Sequence, residues 1–390
     1  MADISDFIGN PEQFPVLKKW NFLNHAGVSP LPHVVAEAVR KATDECEASS
    51  YLDGDWFGEL DKVHDEVAKF INADVEEIAL VKNTSEAISI VAQGVDWKAG
   101  DRVVTAAVEY PANVYPWMEA ARKHGIELVM VPEEADELGR RQVSPEKILM
   151  ELEHPRTKLL TLSHVEFASG QRHDIARFGA ICRERGILFN VDGIQSLGAL
   201  PVDVKAMNID FIGACGHKWM CGPPGAGLFF IRRELQDRIR PLVIGASTVI
   251  NDMDYGNYDY TLKPNARRYE SGTPNLFGCF GFGAALQLLS SVGIDAIADR
   301  LKTLTDRLID GIELRGYQIV SPRANDAWSG TVCFTSPTHS HEEIFKMLRK
   351  QHHIEIAVRE KRLRCSPHFY NTETQIDSLI EALPAHTPTP

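Results

Sequence analysis

Short apolar runs alternate with amphipathic segments along most of this chain. The runs have the length and residue types of buried strands, and the segments between them repeat apolar residues at helical spacing. Such alternation predicts an α/β fold, with a mostly parallel seven-stranded sheet covered by helices on both faces. The predicted strands are Ile78–Val81, Arg102–Ala106, Ile126–Val131, Lys158–Leu162, Ile187–Val191, Ile209–Gly213 and Ala226–Ile231, and the predicted helices between them are Thr84–Gly94, Ala112–Lys123, Ser144–Glu153 and Arg172–Glu184.

The last third of the chain follows a different order of elements. Two helical patterns come first, and short strand patterns then alternate with two further helices, which predicts a smaller C-terminal α+β domain. We therefore expect a large domain over residues 21–265 and a small domain built from residues 1–20 and 266–390. The hinge is expected near residues 260–280.

Composition narrows the class of protein. The 390 residues are 44% hydrophobic and 24% charged, which is ordinary for a globular protein. A net charge of −13 without a basic cluster argues against nucleic-acid binding. Seven scattered cysteines without a C-x-x-C pair indicate a reducing compartment and no metal site. No run approaches the ~20 apolar residues of a membrane span, and the acidic N-terminus lacks a signal core, so we expect a cytoplasmic enzyme.

Asp192 and Lys218 are the strongest candidates for chemistry. Asp192 ends one predicted strand and Lys218 lies in the turn after the next, which indicates a site at the rim of a parallel sheet. Next to His217, the lysine is expected to be partly desolvated, and a lowered pKa makes its amine nucleophilic toward a carbonyl. Pyridoxal phosphate is a carbonyl cofactor that also needs an acid at its ring nitrogen. Taken singly, the two residues fit a surface lysine and a helix cap; together they favour this cofactor.

The stretches VDGIQSLGALPVDV and DFIGACGHKWMCGPPGAGLFFI around these residues resemble the active-site region of class V aminotransferases. That family of fold-type I, pyridoxal-phosphate-dependent enzymes also contains cysteine desulfurases, kynureninases and isopenicillin N epimerases. The resemblance extends from about Phe22 to Leu383. It implies a fold-type I transferase in which Lys218 binds the cofactor and Asp192 protonates its ring.

The same resemblance implies further cofactor-binding residues. Thr84 and Ser85, at a predicted helix start, match the family's phosphate site, where His217 adds a side-chain donor. Tyr110 occupies the position of an aromatic residue, usually His, that stacks on the cofactor ring. Gln195 is expected to donate to the phenolic oxygen of the cofactor.

Substrate contacts and a partner subunit are also implied by the resemblance. Arg364 matches the arginine that binds the substrate's α-carboxylate, a task suited to planar bidentate donors. Asn24 and His25 lie in a stretch that lines the mouth of the site in relatives. Thr273 matches a residue that crosses the dimer interface to the partner's phosphate, so we expect a homodimer with shared active sites.

The sequence leaves the reaction open, because members of this family catalyse different reactions once the substrate has bound to the cofactor. Desulfurases carry a nucleophilic cysteine on a loop before the carboxylate-binding arginine, but residues 360–363 are too few for such a loop. Cys333 and Cys365 are expected to be packing residues. An aminotransferase acting on an amino acid or amine is the leading interpretation. A C–S lyase or desulfurase acting on a cysteine derivative, and an amino-acid epimerase, are the alternatives.

Overall fold

A computed structural model of the chain describes residues 2–324 and 326–386. Ten α-helices are present in the described residues, several of them started by a side-chain cap; for example, Asn83 accepts a hydrogen bond from the Glu86 amide. The helices are α1 His33–Ser49, α2 Trp56–Phe70, α3 Thr84–Gly94, α4 Tyr115–His124, α5 Pro145–Leu152, α6 Ile175–Arg185, α7 Leu276–Val292, α8 Ile294–Leu314, α9 His341–Gln351 and α10 Glu373–Ala382.

The strands form one large and one smaller sheet, together with two short pairings. They are β1 Asn21–Phe22, β2 Ile78–Val81, β3 Arg102–Ala106, β4 Glu127–Val131, β5 Glu133–Ala135, β6 Arg141–Val143, β7 Thr157–Ser163, β8 Leu188–Asp192, β9 Phe211–Cys215, β10 Gly227–Ile231, β11 Gln318–Ile319, β12 Val332–Thr335, β13 Ile354–Glu355, β14 Ala357–Arg359 and β15 Arg362–Cys365.

The large sheet has seven strands in the order β2-β10-β9-β8-β7-β3-β4. Only β10 runs antiparallel to its neighbours β2 and β9, so the prediction of a mostly parallel seven-stranded sheet is confirmed. Successive residues of its strands enter opposite cores: Leu160 packs in one apolar cluster and Leu159 in the other. Burial on both faces explains why these strands appear in the sequence as continuous apolar runs.

A second sheet, in the order β11-β12-β15-β14, lies in the C-terminal part of the chain. Its apolar residues pack with α8, α9 and α10 in a cluster of their own. Leu23 joins that cluster because β1 pairs in parallel with β13, which ties the N-terminal segment to this part of the protein. The domain limits at residues 20 and 265 stay a prediction.

The structure differs from the predicted elements at a few places. The strand expected at 209–213 is shifted to Phe211–Cys215, and α4 begins three residues later than expected, after a 3₁₀ turn at Pro111–Asn113. The β5–β6 hairpin was not predicted, because its short strands are polar and partly exposed. Within the described residues no single helix has the length and apolar character of a membrane span; α7 and α8 do so only as a pair bent by 77°.

Candidate active site

A cavity of about 400 Å³ opens at the carboxyl ends of β3, β7, β8 and β9. This is the edge at which parallel sheets bind ligands, because loops from several strands converge there. Segments from the N-terminal and C-terminal parts of the chain complete its wall. The lining residues are Phe22, Asn24, Ala26, Gly27, Val28, Tyr110, Phe167, Gln195, His217, Lys218, Glu355, Arg359 and Arg364.

Lys218 lines this cavity although its residue is only 8% exposed. Burial lowers its pKa to about 8, and Arg364 adds to the lowering, while Asp192 acts in the opposite direction. A substantial share of the amine is therefore neutral near physiological pH and able to act as nucleophile or base. Its place in the cavity is compatible with the predicted binding of the cofactor, which stays a prediction.

Asp192 lies at the end of β8, 1% exposed, and does not line the cavity. Its Oδ1 accepts a hydrogen bond from the Ile194 amide at 2.9 Å, while Oδ2 has no partner in the described part of the chain. Burial raises its pKa to about 6. Burying a carboxylate oxygen without a hydrogen-bond partner costs free energy. The protonated ring nitrogen of a bound pyridoxal phosphate would donate a hydrogen bond to this oxygen.

A second buried acid, Glu109, lies beside Asp192 and was missed by the sequence analysis. Its two oxygens accept from the amide and the hydroxyl of Ser163, each at 2.5 Å, and Ser163 pairs with Asp192 across β7 and β8. Burial, together with Glu166, raises the pKa of Glu109 well above its usual range. Burial therefore disfavours the charged form of Glu109.

Tyr110 and Gln195 both line the cavity. The rings of Phe167 and Tyr110 pack in a T-shaped arrangement, with a centroid distance of 5.3 Å and an interplanar angle of 82°. The Gln195 amide nitrogen donates to the Ala26 carbonyl at 3.1 Å, and its oxygen accepts from Trp219 at 2.9 Å. These contacts fix the amide's orientation, and the nitrogen's second hydrogen remains for a ligand.

The predicted phosphate site is divided between α3 and the turn after β9. Thr84 is buried and its hydroxyl accepts from the Cys215 amide at 3.2 Å, whereas Ser85 is exposed. The first amides of a helix have no intrahelical partner, and the helix dipole favours an anion there. His217 lines the cavity, and its Nδ1 is buried without a partner among the described residues.

Arg364 and Asn24 line the cavity and His25 does not. Arg364 is almost fully buried; its Nη1 donates to the Phe167 carbonyl at 3.1 Å, and burial lowers its pKa to about 10. His25 is 0% exposed, with Nδ1 at 2.9 Å from the Ser366 carbonyl and Nε2 at 2.6 Å from the Tyr370 hydroxyl. This placement corrects the expectation that His25 contacts substrate, because both ring nitrogens are already bonded.

Two charged residues of the cavity, Glu355 and Arg359, were not predicted. They come from β13 and β14, and β14 returns to β15 through a turn of only two residues, Glu360 and Lys361. Both turn residues have positive φ, 47° and 58°, as in tight hairpins. The short interval predicted at residues 360–363 therefore contains a hairpin turn of two residues.

Thr273 is exposed and does not line the cavity of its own chain. The structure contains one chain, so the expected contact of Thr273 with a partner's phosphate stays a prediction. The neighbouring Glu270 is tied back to its own chain, since its Oε1 lies 2.7 Å from His64 Nε2 and accepts from the Leu80 amide.

These residues fit pyridoxal phosphate. Lys218 offers a partly neutral amine for the aldehyde, and Asp192 offers an unpaired oxygen for the ring nitrogen. The N-terminus of α3 and His217 supply donors for a phosphate. The cavity volume lies in the range of small-molecule sites, about 300–1,000 Å³.

Comparisons with known proteins find relatives that cover most of this chain. The family model described as "Aminotransferase class-V" matches residues 21–379. A probable cysteine desulfurase of Pyrococcus abyssi is 34% identical over 81% of this chain and 80% of its own, and one of Methanothermobacter thermautotrophicus is 32% identical over 95% of both. A structure of the cystine C–S lyase C-DES with its product cysteine persulfide superposes with a TM-score of 0.85 and 26% identity, covering 95% of this chain and 98% of that one.

Proposed function

This chain belongs to the class V aminotransferase family of pyridoxal-phosphate-dependent enzymes, and from that premise we propose that it is a C–S lyase acting on a cysteine derivative. The substrate and one water yield a thiol, pyruvate and ammonia, and no enzyme thiol takes part. The names of the relatives, two cysteine desulfurases and a cystine C–S lyase, support the lyase or desulfurase alternative better than the aminotransferase that the sequence analysis placed first.

The choice of a C–S lyase over a desulfurase rests on one observation: none of the residues that line the cavity is a cysteine. Six of the seven cysteines are buried, and only Cys46 is partly exposed. Burial raises the pKa of Cys333 to about 11 and raises that of Cys365 further, so neither thiol is a ready nucleophile. In a C–S lyase reaction the sulfur leaves as part of the substrate's own substituent, so no enzyme thiol is needed.

The side chains divide the work as follows. The bound cofactor supplies an electron sink for the negative charge that develops at the substrate's Cα. Arg364 binds the α-carboxylate and orients the Cα–H bond, and Lys218 takes that proton as the general base. The C–S bond then breaks, its electron pair leaves on sulfur, and the thiolate takes up the proton that Lys218 had removed from Cα. Asp192 keeps a proton on the ring nitrogen throughout.

Three further expectations accompany the proposed function. We infer a homodimer in which Thr273 reaches the partner's phosphate, since this exposed residue has no role in its own cavity. A cytoplasmic location and the division into a large and a small domain are kept as predictions.

Product analysis of the holoenzyme tests the function. With L-cysteine, L-cystine and S-alkyl-L-cysteines, a lyase releases pyruvate and ammonia in equal amounts together with a thiol or persulfide. Alanine as product would indicate desulfuration through an enzyme thiol. A stoichiometric shift of the cofactor absorbance to the pyridoxamine form, without ammonia, would indicate transamination, and D-amino acid would indicate epimerisation.

A further inference from the structure

Two arginines on one face of β15 bind the loop that follows β7. Alternate residues of a strand share a face, so Arg362 and Arg364 lie on the same side, while the other two residues of the strand pack in the C-terminal apolar cluster. Arg362 Nη1 donates to the Ala168 carbonyl at 2.9 Å, and Arg364 Nη1 donates to the Phe167 carbonyl at 3.1 Å. Two successive carbonyls of this loop are therefore held by two guanidinium groups of one strand.

The two arginines differ in their acidic partners. Arg362 Nη2 donates to Glu133 Oε2 at 2.8 Å and Nη1 lies 3.4 Å from Oε1, so this ion pair is bidentate. The two side chains are only 15% and 7% exposed, and neither residue lines the cavity. Arg364 does line the cavity, and among the described residues no carboxylate forms an ion pair with it. Arg364 is thus available to the carboxylate of a ligand, whereas Arg362 is already paired.

Glu133 belongs to the β5–β6 hairpin, which holds the same loop from a second side. Its register partner in the hairpin is Val143. The Val143 amide donates to Gln171 Oε1 at 2.7 Å, and the Val143 carbonyl accepts from Gln171 Nε2 at 2.9 Å. Gln171 closes the loop in turn, because its carbonyl accepts from the Glu166 amide at 2.9 Å. The loop that presents Phe167 to the cavity is therefore fixed by the hairpin, and Glu133 joins that hairpin to β15.

We propose that Glu133 is a positioning residue for the subsite that binds the substrate's α-carboxylate. Its ion pair fixes Arg362, Arg362 fixes the loop at Ala168, and the adjacent Phe167 carbonyl fixes the direction of the Arg364 guanidinium. Glu133 acts only through these contacts, since it does not reach the cavity. This inference rests on the role that the proposed function gives to Arg364.

Two ligands that differ only in the α-carboxylate test the proposal. S-ethyl-L-cysteine and 2-(ethylthio)ethylamine share the amine and the thioether, and the dissociation constant of each is measured from the cofactor absorbance of the holoenzyme. We expect the wild type to bind the amino acid at least about tenfold more tightly than the amine, because an arginine–carboxylate contact is charge-assisted. Glu133→Gln should lower this preference by about three- to tenfold by weakening binding of the amino acid, while the constant for the amine stays within about twofold of wild type.

Glu134→Gln is the matched control, because Glu134 lies on the same strand and pairs with Lys147 at the surface. It should keep the wild-type preference. The double variant Glu133→Gln/Arg362→Gln removes both charges, leaves no buried charge unpaired, and should show the same loss as Glu133→Gln. A lowered thermal unfolding midpoint with a wild-type preference in these Glu133 variants would show a purely structural role and overturn the proposal.

Arg364→Ala separates this proposal from the proposed function. The variant should bind both ligands about equally, and an intact preference there would overturn the assignment of Arg364 and the positioning role of Glu133 together. The titration needs no turnover. Failure of the lyase reaction would therefore appear separately, as the absence of pyruvate from S-ethyl-L-cysteine, and the titration would still decide the role of Glu133.

Discussion

The Nζ of Lys218 lies 5.3 Å from the centroid of the Tyr110 ring, over its face. The two residues follow different strands, β9 and β3, and meet only because those strands end at the same edge of the sheet. Phe167 packs against the tyrosine ring in a T-shaped arrangement. A flat ring is thus held beside the nucleophilic amine, as a stacking partner for a planar cofactor requires.

Replacing Lys218 with Ala should abolish covalent attachment of the cofactor. Purified wild-type protein should be yellow, and borohydride should fix the cofactor to the peptide that contains residue 218. The variant should lose this adduct and fall in turnover by several orders of magnitude. Lys361→Ala, in the exposed turn, is the control and should retain both. An adduct that persists in Lys218→Ala would show that another lysine is the anchor.

Cofactor uptake should have an unusual pH dependence. Because burial lowers the pKa of Lys218 from 10.5 to about 8, the neutral amine becomes the majority form above about pH 8. The initial rate of absorbance change after pyridoxal phosphate is added to apoprotein should rise with pH and level off above pH 8. A rate that keeps rising to the ordinary lysine pKa would contradict the assignment.

Asp192→Asn should lower turnover by at least about a hundredfold, because the amide cannot hold the ring nitrogen in its protonated form. The substitution keeps the shape of the side chain and removes a buried acid whose pKa burial raises to about 6. We therefore expect little change in the thermal unfolding midpoint. Turnover within a few-fold of wild type would sink the proposed role of Asp192.

The cysteine and arginine variants should behave in opposite ways. Cys333→Ala and Cys365→Ala remove buried packing groups and should cost about 1–2 kcal/mol of unfolding free energy with activity retained. Arg364→Ala should raise KM and lower kcat, because the α-carboxylate loses its bidentate partner and the Cα–H bond its orientation. Steady-state kinetics and urea unfolding measure both. Loss of turnover in the cysteine variants, with a silent arginine change, would restore the desulfurase interpretation.

Glu166 should make the protein less stable as pH rises. This fully buried acid lies 3.0 Å from His173, and burial raises its pKa from 4.5 to about 8. Between these values the native state holds a proton that the unfolded chain releases, so its contribution to stability falls as pH rises and then stays constant above about pH 8. Glu166→Gln should lose this slope and gain a few kcal/mol relative to wild type between pH 5 and pH 8.5. Urea unfolding at the two pH values measures the difference, and equal shifts at both would contradict it.

The local sequence pattern was enough to predict the sheet and its helices. Buried parallel strands appear in the sequence as continuous apolar runs, and α3 begins at a capping residue. The pattern was also enough to place Lys218 and Asp192 at the same edge of the sheet, since Asp192 ends β8 and Lys218 follows β9. Glu355 could not be found in this way, since its position depends on the pairing of β13 with β1, more than three hundred residues earlier. His25 was misassigned for the same reason: its partner Tyr370 is distant in sequence.

Because no cysteine lines the cavity, the active site should resist reagents that modify thiols. Cysteine is the side chain that peroxides and alkylating reagents modify most readily when its thiolate is exposed. With six of the seven cysteines buried and none lining the cavity, the active site contains no such group. Turnover should survive treatment with iodoacetamide or hydrogen peroxide. The proposed reaction is then independent of the oxidation state of the protein's own thiols.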